Sequence, residues 1–192
     1  MIAILKYNAG NIKSVYNALT RLGYKSIITD NPTELSNADK VIFPGVGEAS
    51  SAIHYLRERG LDKTIISLKQ PVLGICLGLQ LMCRYSEEGD TECLGIFDSA
   101  VRLFPPVEKI PHMGWNNCLT MKGDLFKGLT LKDNLYYVHS YYAEISSSTL
   151  ATCDYILPFS AAMQKQNFYA TQFHPEKSAE KGEKILKNFL EL

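Results

Sequence analysis

The first half of the chain alternates between short apolar runs and amphipathic stretches. Residues 2–6, 24–29, 40–43 and 72–75 are apolar runs that predict buried strands. Residues 11–22 carry apolar side chains at helical spacing and end at Gly23, and amphipathic stretches also precede Gly60 and begin near Leu77. Strand and helix in repeated short units predict a parallel sheet with helices on both faces.

The second half shows little helical periodicity until its end. Residues 100–103, 136–139, 150–157 and 168–173 are predicted strands separated by turns. Residues 178–192 predict a final helix with Ser178 as its N-cap. The predicted fold is therefore α/β, an open, mostly parallel sheet flanked by helices, with antiparallel strands added in the second half. We expect one domain over residues 1–192, a length usual for a single domain.

Charge and hydropathy exclude several classes of function. The chain has 20 Lys plus Arg and 20 Asp plus Glu, so its formal net charge is zero. Proteins that bind nucleic acid or anionic membranes usually carry a basic surplus, so neither partner is expected. No apolar run approaches the roughly 18 residues of a membrane span, and the first residues do not resemble a signal peptide. We expect a cytoplasmic protein.

The cysteines and histidines do not form a metal-binding pattern. Five cysteines occur without any C-x-x-C pair, and four histidines occur without an H-E-x-x-H pair. An odd number of unpaired thiols argues against a disulfide framework and against a structural zinc site. We therefore expect neither a metal nor another cofactor.

One cysteine has an unusual setting. Residues 74–78 read Gly-Ile-Cys-Leu-Gly, between a predicted buried strand and a helix. A nucleophile elbow has this form, because the strained turn leaves no room for side chains beside the nucleophile. The helix N-terminus would also favour a thiolate at Cys76. The pentapeptide alone fits a buried structural cysteine equally well, and we interpret the other four cysteines as structural.

A thiol nucleophile needs a base, and residues 173–176 offer one. They read Phe-His-Pro-Glu, and in an extended segment His174 and Glu176 would point to the same side. Glu176 could then accept the ring N–H and set the tautomer of His174. Such a pair is a weak signal alone, and it gains weight from the elbow at Cys76.

A glycine-rich turn follows the third predicted strand. Residues 44–47 read Pro-Gly-Val-Gly and could present backbone N–H groups. Together with the N–H of Leu77, such donors would stabilise the tetrahedral oxyanion of thioester chemistry. A plain strand-to-helix turn is the structural alternative. A phosphate loop is disfavoured, since its lysine and hydroxyl residues are missing.

These segments together resemble those of class I (triad) glutamine amidotransferases, and more narrowly those of the glutaminase subunits of imidazole glycerol phosphate synthases. The similarity extends over nearly the whole chain. The elbow and the His-Pro-Glu segment are shared by the class, whereas Pro-Gly-Val-Gly, His-Met-Gly-Trp-Asn and Val-His-Ser-Tyr select the subfamily. The segments that carry the resemblance are residues 7–11, 44–47, 74–82, 86–89, 111–116, 137–142 and 172–178.

The resemblance implies hydrolysis of glutamine to glutamate and ammonia. In that scheme Cys76 attacks the side-chain amide, His174 shuttles protons and Glu176 orients His174. The turn that contains Gly47 is held in a conformation whose oxyanion donor is incomplete until a partner is loaded, and Leu77 supplies the second donor. Glycines on both sides of Val46 would make a peptide flip inexpensive.

The resemblance also implies how the amino-acid end of glutamine is held. Gln80 and Glu88 belong to this part of the site, and Ser140 and Tyr141 contribute mainly through their backbone. A carboxylate suits an ammonium group, and N–H donors suit a carboxylate. Without the resemblance, a solvated turn would be the preferred interpretation of Glu88.

A partner is implied as well, a (β/α)8-barrel cyclase subunit that forms a heterodimer with this chain. It would use the ammonia to convert a formimino-aminoimidazole-carboxamide ribotide into imidazole glycerol phosphate and an aminoimidazole ribotide in histidine biosynthesis. Asn11, Trp115 and Lys177 lie in segments that face this partner in the family.

Four alternatives remain open. A paralogue could supply ammonia for surface-sugar amidination, and an amidotransferase could serve another synthase, although the narrow segments disfavour the latter. A non-catalytic binding or regulatory protein could use the same scaffold, but such a protein would be expected to lose a member of the triad. A stand-alone hydrolase would show no stimulation by a barrel partner.

Overall fold

Six α-helices and thirteen β-strands make up the structure, a computed structural model that describes residues 1–192. The helices are α1 (Ile12–Arg21), α2 (Pro32–Asn37), α3 (Ala49–Glu58), α4 (Leu61–Ser67), α5 (Leu77–Met82) and α6 (Ala179–Leu190). The strands are β1 (Ile2–Leu5), β2 (Ser26–Thr29), β3 (Lys40–Gly45), β4 (Val72–Cys76), β5 (Tyr85–Ser86), β6 (Thr91–Glu92), β7 (Ala100–Leu103), β8 (His112–Met121), β9 (Asn134–His139), β10 (Tyr141–Ala143), β11 (Thr149–Tyr155), β12 (Leu157–Lys165) and β13 (Phe168–Thr171).

A nine-stranded mixed sheet is the centre of the fold. Its order is β2-β1-β3-β4-β13-β12-β11-β8-β9. The pairings from β2 to β13 are parallel, and those from β13 to β9 are antiparallel. A separate small sheet has the order β10-β7-β5-β6. The predicted α/β class is therefore confirmed. The parallel strands come from the first half except for β13, which returns from the second half to pair with β4, and the other strands that the second half adds to the nine-stranded sheet are antiparallel.

Helices cover both faces of the parallel strands, which explains their apolar runs. Ile2 and Ile4 of β1 pack in the core under α1 and α6, whereas Ala3 and Leu5 face the core under α3, α4 and α5. A strand buried on both faces needs apolar side chains at successive positions. The β1 pattern therefore reads as a continuous apolar run, and its predicted position is confirmed within one residue.

The parallel arrangement brings three strand ends together. Gly45 at the end of β3 pairs with Cys76 at the end of β4. On the other side of β4, Ile75 pairs with Thr171 of β13, so Gln172 follows beside Cys76. Ligands in open α/β sheets gather at such carboxyl ends, and this edge is where the candidate site lies.

The second half differs from the sequence prediction in detail. The single predicted strand over residues 150–157 is a hairpin, because the chain turns at Ile156 with φ +65° between β11 and β12. The helices α2 and α4 and the long strand β8 were not predicted.

Ser178 does not act as the predicted N-cap, although it precedes α6. Its side chain makes no hydrogen bond to the first N–H groups of that helix. Instead its hydroxyl donates to the carbonyl of His174 at 2.6 Å and accepts from the N–H of Tyr136 at 2.9 Å. Ser178 therefore connects the His174 segment to β9.

Among the helices, none is long and apolar enough to cross a membrane.

Candidate active site

Cys76 lies in a strained turn between β4 and α5. Its backbone has φ +53° and ψ −104°, a conformation that residues with a side chain rarely adopt. A Cβ atom on Gly78 would lie 1.9 Å from the carbonyl oxygen of Phe43, and one on Gly74 would lie 2.9 Å from the carbonyl carbon of Gly78. Both glycines are therefore required for close packing, which is the arrangement that the elbow pattern predicts.

The sulfur of Cys76 has two polar neighbours. Its Sγ lies 3.9 Å from the carbonyl oxygen of Val138, to which the thiol can donate. The side-chain Nε2 of Gln172 donates to the same sulfur at 3.6 Å. Cys76 is only 6% exposed, but it lines a cavity at the strand ends. A small ligand in that cavity would reach the sulfur directly.

His174 and Glu176 are neighbours through a short 3-10 turn. The prediction of an extended segment is wrong in this detail, since Pro175–Lys177 forms that turn. The two side chains still meet, with Nδ1 of His174 2.7 Å from Oε1 of Glu176. Because the carboxylate accepts, Nδ1 carries the proton and Nε2 is the free ring nitrogen. Nε2 is buried and has no hydrogen-bond partner in the protein.

The charges around His174 favour its protonated form. Burial alone lowers the pKa of the imidazole, but the thiolate of Cys76 and the carboxylate of Glu176 raise it to about 10. Both groups act in the same direction, because a nearby negative charge stabilises the charged imidazolium. The arrangement therefore favours transfer of a proton from the thiol to the ring.

Asn11 also contacts the carboxylate. Its Nδ2 donates to Oε1 of Glu176 and lies 3.4 Å from Nδ1 of His174. The second oxygen of Glu176, Oε2, is buried without a partner. Asn11 therefore fixes which carboxylate oxygen faces the ring.

The turn after β3 reaches the same site. The carbonyl of Val46 accepts from the N–H of Gly10 at 3.0 Å. In a trans peptide the N–H lies opposite the carbonyl, so this single bond also sets the direction of the Gly47 N–H. Gly47 has φ +145°, which favours glycine. The orientation of this peptide thus depends on one hydrogen bond.

A cavity of about 270 Å³ opens between these elements and β9. Its lining residues, which include Cys76, come from five different segments of the chain, so the cavity forms only in the folded protein. Its lining is Val46, Gly47, Cys76, Leu77, Gln80, Glu88, Pro111, Val138, His139, Ser140 and Tyr141.

Glu88 and Gln80 lie in this cavity with part of their hydrogen-bonding capacity already used. Oε2 of Glu88 accepts from the N–H of Ala49 at 2.8 Å. Burial raises the pKa of Glu88, and the Ala49 N–H opposes that rise. Nε2 of Gln80 donates to the carbonyl of Tyr141 at 3.0 Å and to Oε1 of Gln172 at 3.1 Å. Glu88 does lie in a turn, but its side chain is half-buried and lines this cavity, so it is not simply solvated.

Two buried histidines, His112 and His139, form a chain of hydrogen bonds that ends at the same Tyr141 carbonyl. Nδ1 of His139 lies 2.8 Å from that oxygen, which can only accept, so Nδ1 carries a proton. Burial lowers the pKa of His139 to about 3, so its Nε2 is an acceptor, and Nδ1 of His112 must donate to it at 3.0 Å. Asn116 then donates to Nε2 of His112 at 3.3 Å.

Sequence reasoning gave neither of these histidines a role. Burial lowers the pKa of His112 to about 4, so both rings are neutral. His112 and His139 are directly opposite each other in the register of β8 and β9. The only sequence signal is that both lie in the narrow segments of the subfamily, which does not reveal the pairing.

The other four cysteines are buried and have raised pKa values. Burial raises the pKa of Cys118 to about 11 and that of Cys93 and Cys153 to about 12, and it raises the pKa of Cys83 still further. Such thiols react slowly at neutral pH, because the thiolate is the nucleophile.

The predicted partner-facing residues lie in one neighbourhood near the triad. Trp115 is 55% exposed and packs edge-on against Tyr136, whose carbonyl accepts from the N–H of His174. Lys177 is exposed directly after Glu176. Asn11, in contrast, is half-buried against Glu176 of the predicted triad.

No group of three or more His, Cys, Asp or Glu side chains is arranged to hold a metal ion.

Comparison with known proteins identifies the family. The model of the family "Glutamine amidotransferase class-I" matches residues 3–192. The chain is a member of the class I glutamine amidotransferase family. Among curated amidotransferase relatives, imidazole glycerol phosphate synthase subunit HisH of Bacteroides fragilis (strain YCH46) is 61% identical, over 100% of this chain and 99% of its own length. The subunit of the same name from Pasteurella multocida is 45% identical, over 99% of this chain and 97% of its own length.

Solved structures agree in fold with this amidotransferase. A crystal structure described as a glutamine amidotransferase has a TM-score of 0.77 at 18% identity, covering 99% of this chain and 97% of that chain. The structure of PurLQS from Thermotoga maritima has a TM-score of 0.73 at 16% identity, covering 99% and 97%. At these identities the likeness concerns the fold alone.

Proposed function

We propose that this chain is the glutaminase subunit of an imidazole glycerol phosphate synthase, acting in the cytoplasm in histidine biosynthesis. It hydrolyses glutamine to glutamate and ammonia and passes the ammonia to a (β/α)8-barrel cyclase subunit. The 61% identity to a full-length subunit of that name supports the pathway. The contact of His174 with Glu176 beside the Cys76 elbow is the observation that carries the chemistry.

The reaction begins with proton transfer from Cys76 to Nε2 of His174. The thiolate attacks the side-chain carbonyl carbon of glutamine, and a tetrahedral intermediate forms. When the carbon–nitrogen bond breaks, His174 returns the proton to the leaving nitrogen and ammonia departs. Water then attacks the thioester with His174 as base, which releases glutamate and restores the thiol. Glu176 holds the ring and stabilises its charged form in both halves.

Two backbone donors stabilise the oxyanion in this proposal. The N–H of Leu77 is the first of α5 and has no partner within the helix. The N–H of Gly47 is the second donor, and the Gly10 bond to Val46 holds its peptide in one orientation. Breaking that bond costs about 0.5–1.5 kcal/mol, so binding of a loaded partner could supply enough energy to reorient the peptide.

The far end of the cavity holds the amino-acid part of glutamine. Oε1 of Glu88 accepts no bond from the protein, so it is free for the ammonium group. Gln80 presents its Oε1 to the same group, because its Nε2 is used by Tyr141 and Gln172. Backbone groups of Ser140 and Tyr141, which also line the cavity, bind the α-carboxylate.

The cyclase binds at the surface formed by Asn11, Trp115 and Lys177. An exposed aromatic side chain of this size is typical of an interface residue. Because Asn11 donates a hydrogen bond to Glu176, a shift of Asn11 on partner binding would change the position of the Glu176 carboxylate.

The test is a measurement of glutamate release by the chain alone, with the barrel cyclase, and with the cyclase and its ribotide ligand. We expect weak activity alone and strong stimulation by the loaded partner. Cys76→Ala should abolish turnover while leaving the fold intact. Full activity without the partner would exclude the subunit role, and turnover by Cys76→Ala would exclude the nucleophile.

A further inference from the structure

Gln172 lies beside the nucleophile although it belongs to neither the proposed triad nor the oxyanion donors. The parallel register of β4 and β13 pairs Ile75 with Thr171, so Cys76 and Gln172 leave adjacent strand ends together. Gln172 is completely buried, and its Nε2 lies 3.6 Å from Sγ of Cys76. Burying an amide is costly unless its N–H and C=O groups find hydrogen-bond partners, so its neighbours indicate what it does there.

The orientation of this amide follows from its neighbours. The carbonyl of Tyr141 can only accept, so Gln80 must direct its NH₂ group toward it. The same NH₂ group faces Gln172, so the nearer atom of Gln172 must be its oxygen. The other end of the Gln172 amide, the NH₂ group, therefore faces the sulfur as a donor.

We propose that Gln172 is a further catalytic residue, whose amide N–H stabilises the sulfur of Cys76 once its proton has moved to His174. This inference rests on the proposed glutaminase function, because it assigns Gln172 a part in the same thiol chemistry.

The hydrogen bonds of the sulfur differ between its two states. As a thiol, Cys76 can donate its proton to the carbonyl of Val138, 3.9 Å away. As a thiolate, it can only accept, and the carbonyl of Val138 no longer helps. The donor of Gln172 remains, and a hydrogen bond to a charged acceptor is about twice as strong as one between neutral groups. Gln172 therefore favours the thiolate over the thiol.

The variant Gln172→Met tests this, because methionine has nearly the same length and no donor. The rate of carboxamidomethylation of Cys76 by iodoacetamide is measured from pH 5 to pH 10 by mass spectrometry of the full chain. We expect the midpoint of the rate profile to rise by about one pH unit and the rate at pH values below the wild-type midpoint to fall about tenfold. The matched control is Gln164→Met on β12, whose amide contacts only Gln166 and Tyr169. It should leave the profile unchanged.

A second measurement avoids any change at Gln172. The side-chain amide protons of Gln172 are observed by NMR in the ¹⁵N-labelled chain and in Cys76→Ala, which lacks the acceptor. We expect one of the two proton resonances to shift upfield in Cys76→Ala. Unchanged resonances, or an unchanged alkylation profile in a folded Gln172→Met, would overturn the inference.

Neither measurement requires glutamine hydrolysis, so the two proposals can fail separately. If the chain with its cyclase does not release glutamate but Gln172→Met still alkylates slowly, the proposed function fails and the role of Gln172 at the sulfur stands. If glutamate is released and the alkylation profile does not move, the role of Gln172 fails alone.

Discussion

Glu176→Gln removes one charge from the triad at almost constant volume. Oε1 of Glu176 accepts from Nδ1 of His174 at 2.7 Å and also from Asn11. The glutamine oxygen should keep this position, since both neighbours donate there. Its NH₂ group then occupies the place of Oε2, which is buried and has no partner. The substitution therefore weakens the support of His174 and leaves a buried donor unsatisfied.

The two effects have different magnitudes and different consequences. A hydrogen bond to a charged group contributes about 1.5–3 kcal/mol, against about 1 kcal/mol between neutral groups. Both Glu176 and His174 are fully buried at the side chain, so solvent does not screen this difference. A loss of about 1–2 kcal/mol from the imidazolium form corresponds to a kcat about 5- to 30-fold lower. The NH₂ group takes the place of Oε2, which is already unsatisfied in the wild type, so this exchange changes the folding free energy little.

The pH dependence has a definite sign. The pKa of His174 is raised in the folded chain, in part by Glu176, above the value of about 6.5 of the unfolded chain. A raised pKa contributes stability that is fully present below about pH 6.5 and is lost as pH rises through the folded value of about 10. The loss of about 1–2 kcal/mol in Glu176→Gln lowers the folded pKa of His174 by about one unit, so the difference in unfolding free energy between wild type and variant should stay constant through neutral pH and narrow only as pH approaches about 10.

The assay is steady-state release of glutamate in the presence of the cyclase and its ribotide, with unfolding followed separately in denaturant. We expect a lower kcat with an unchanged KM, because Glu176 does not line the ligand cavity. Glu180→Gln, an exposed carboxylate in the first turn of α6, is the matched control and should have no effect. A kcat within twofold of wild type would refute the assignment of Glu176 as the residue that supports His174.

Three further outcomes are expected. A glutamine-like electrophile should label Cys76 at least about tenfold faster than the other four thiols, as quantified by peptide mass spectrometry, and equal labelling would contradict an activated elbow. Gly47→Ala has room for its Cβ, with nothing nearer than 3.9 Å, but the strain at φ +145° should lower the free energy of unfolding by about 1–3 kcal/mol and kcat at least fivefold. An unchanged kcat would mean that this backbone conformation is not used. His112 and His139 should stay neutral down to pH 5 with their protons on Nδ1, so that the free energy of unfolding falls below about pH 6.5 as the unfolded chain takes up protons. A ¹⁵N NMR spectrum that shows either ring charged at pH 6 would refute the neutral state, and one that shows the proton on Nε2 would refute the tautomer assignment.

The parallel half of the fold could be predicted because its pattern has one physical cause. Strands such as β1 and β4 are covered by helices on both faces, so apolar runs mark them directly. The antiparallel half offers weaker signals. Ile156 adopts φ +65° at the hairpin between β11 and β12, and a β-branched residue gives no indication of such a turn. The strand β8 exposes many positions, so its pattern is largely polar.

The candidate site, too, has residues that the sequence could predict and residues that it could not. Cys76, His174 and Glu176 belong to short linear patterns whose spacing reflects local backbone geometry, and the structure brings these side chains to one sheet edge. The positions of Gln172 and His139 depend on cross-strand register, and the orientation of their side chains depends on which atoms donate. Those directions are decided by fixed acceptors such as the Tyr141 carbonyl, and a linear pattern contains no information about them.

The close fit of Gly78 against the Phe43 carbonyl separates what the scaffold requires from what the reaction requires. A descendant of this chain that no longer consumed glutamine could exchange its sulfur in one step, and glycine at position 76 would even relieve the backbone strain there. No residue larger than glycine could replace Gly78 while β3 stays in place. Among inactive descendants, the flanking glycine should therefore persist after the cysteine has gone, so it marks ancestry, and only the thiol marks activity.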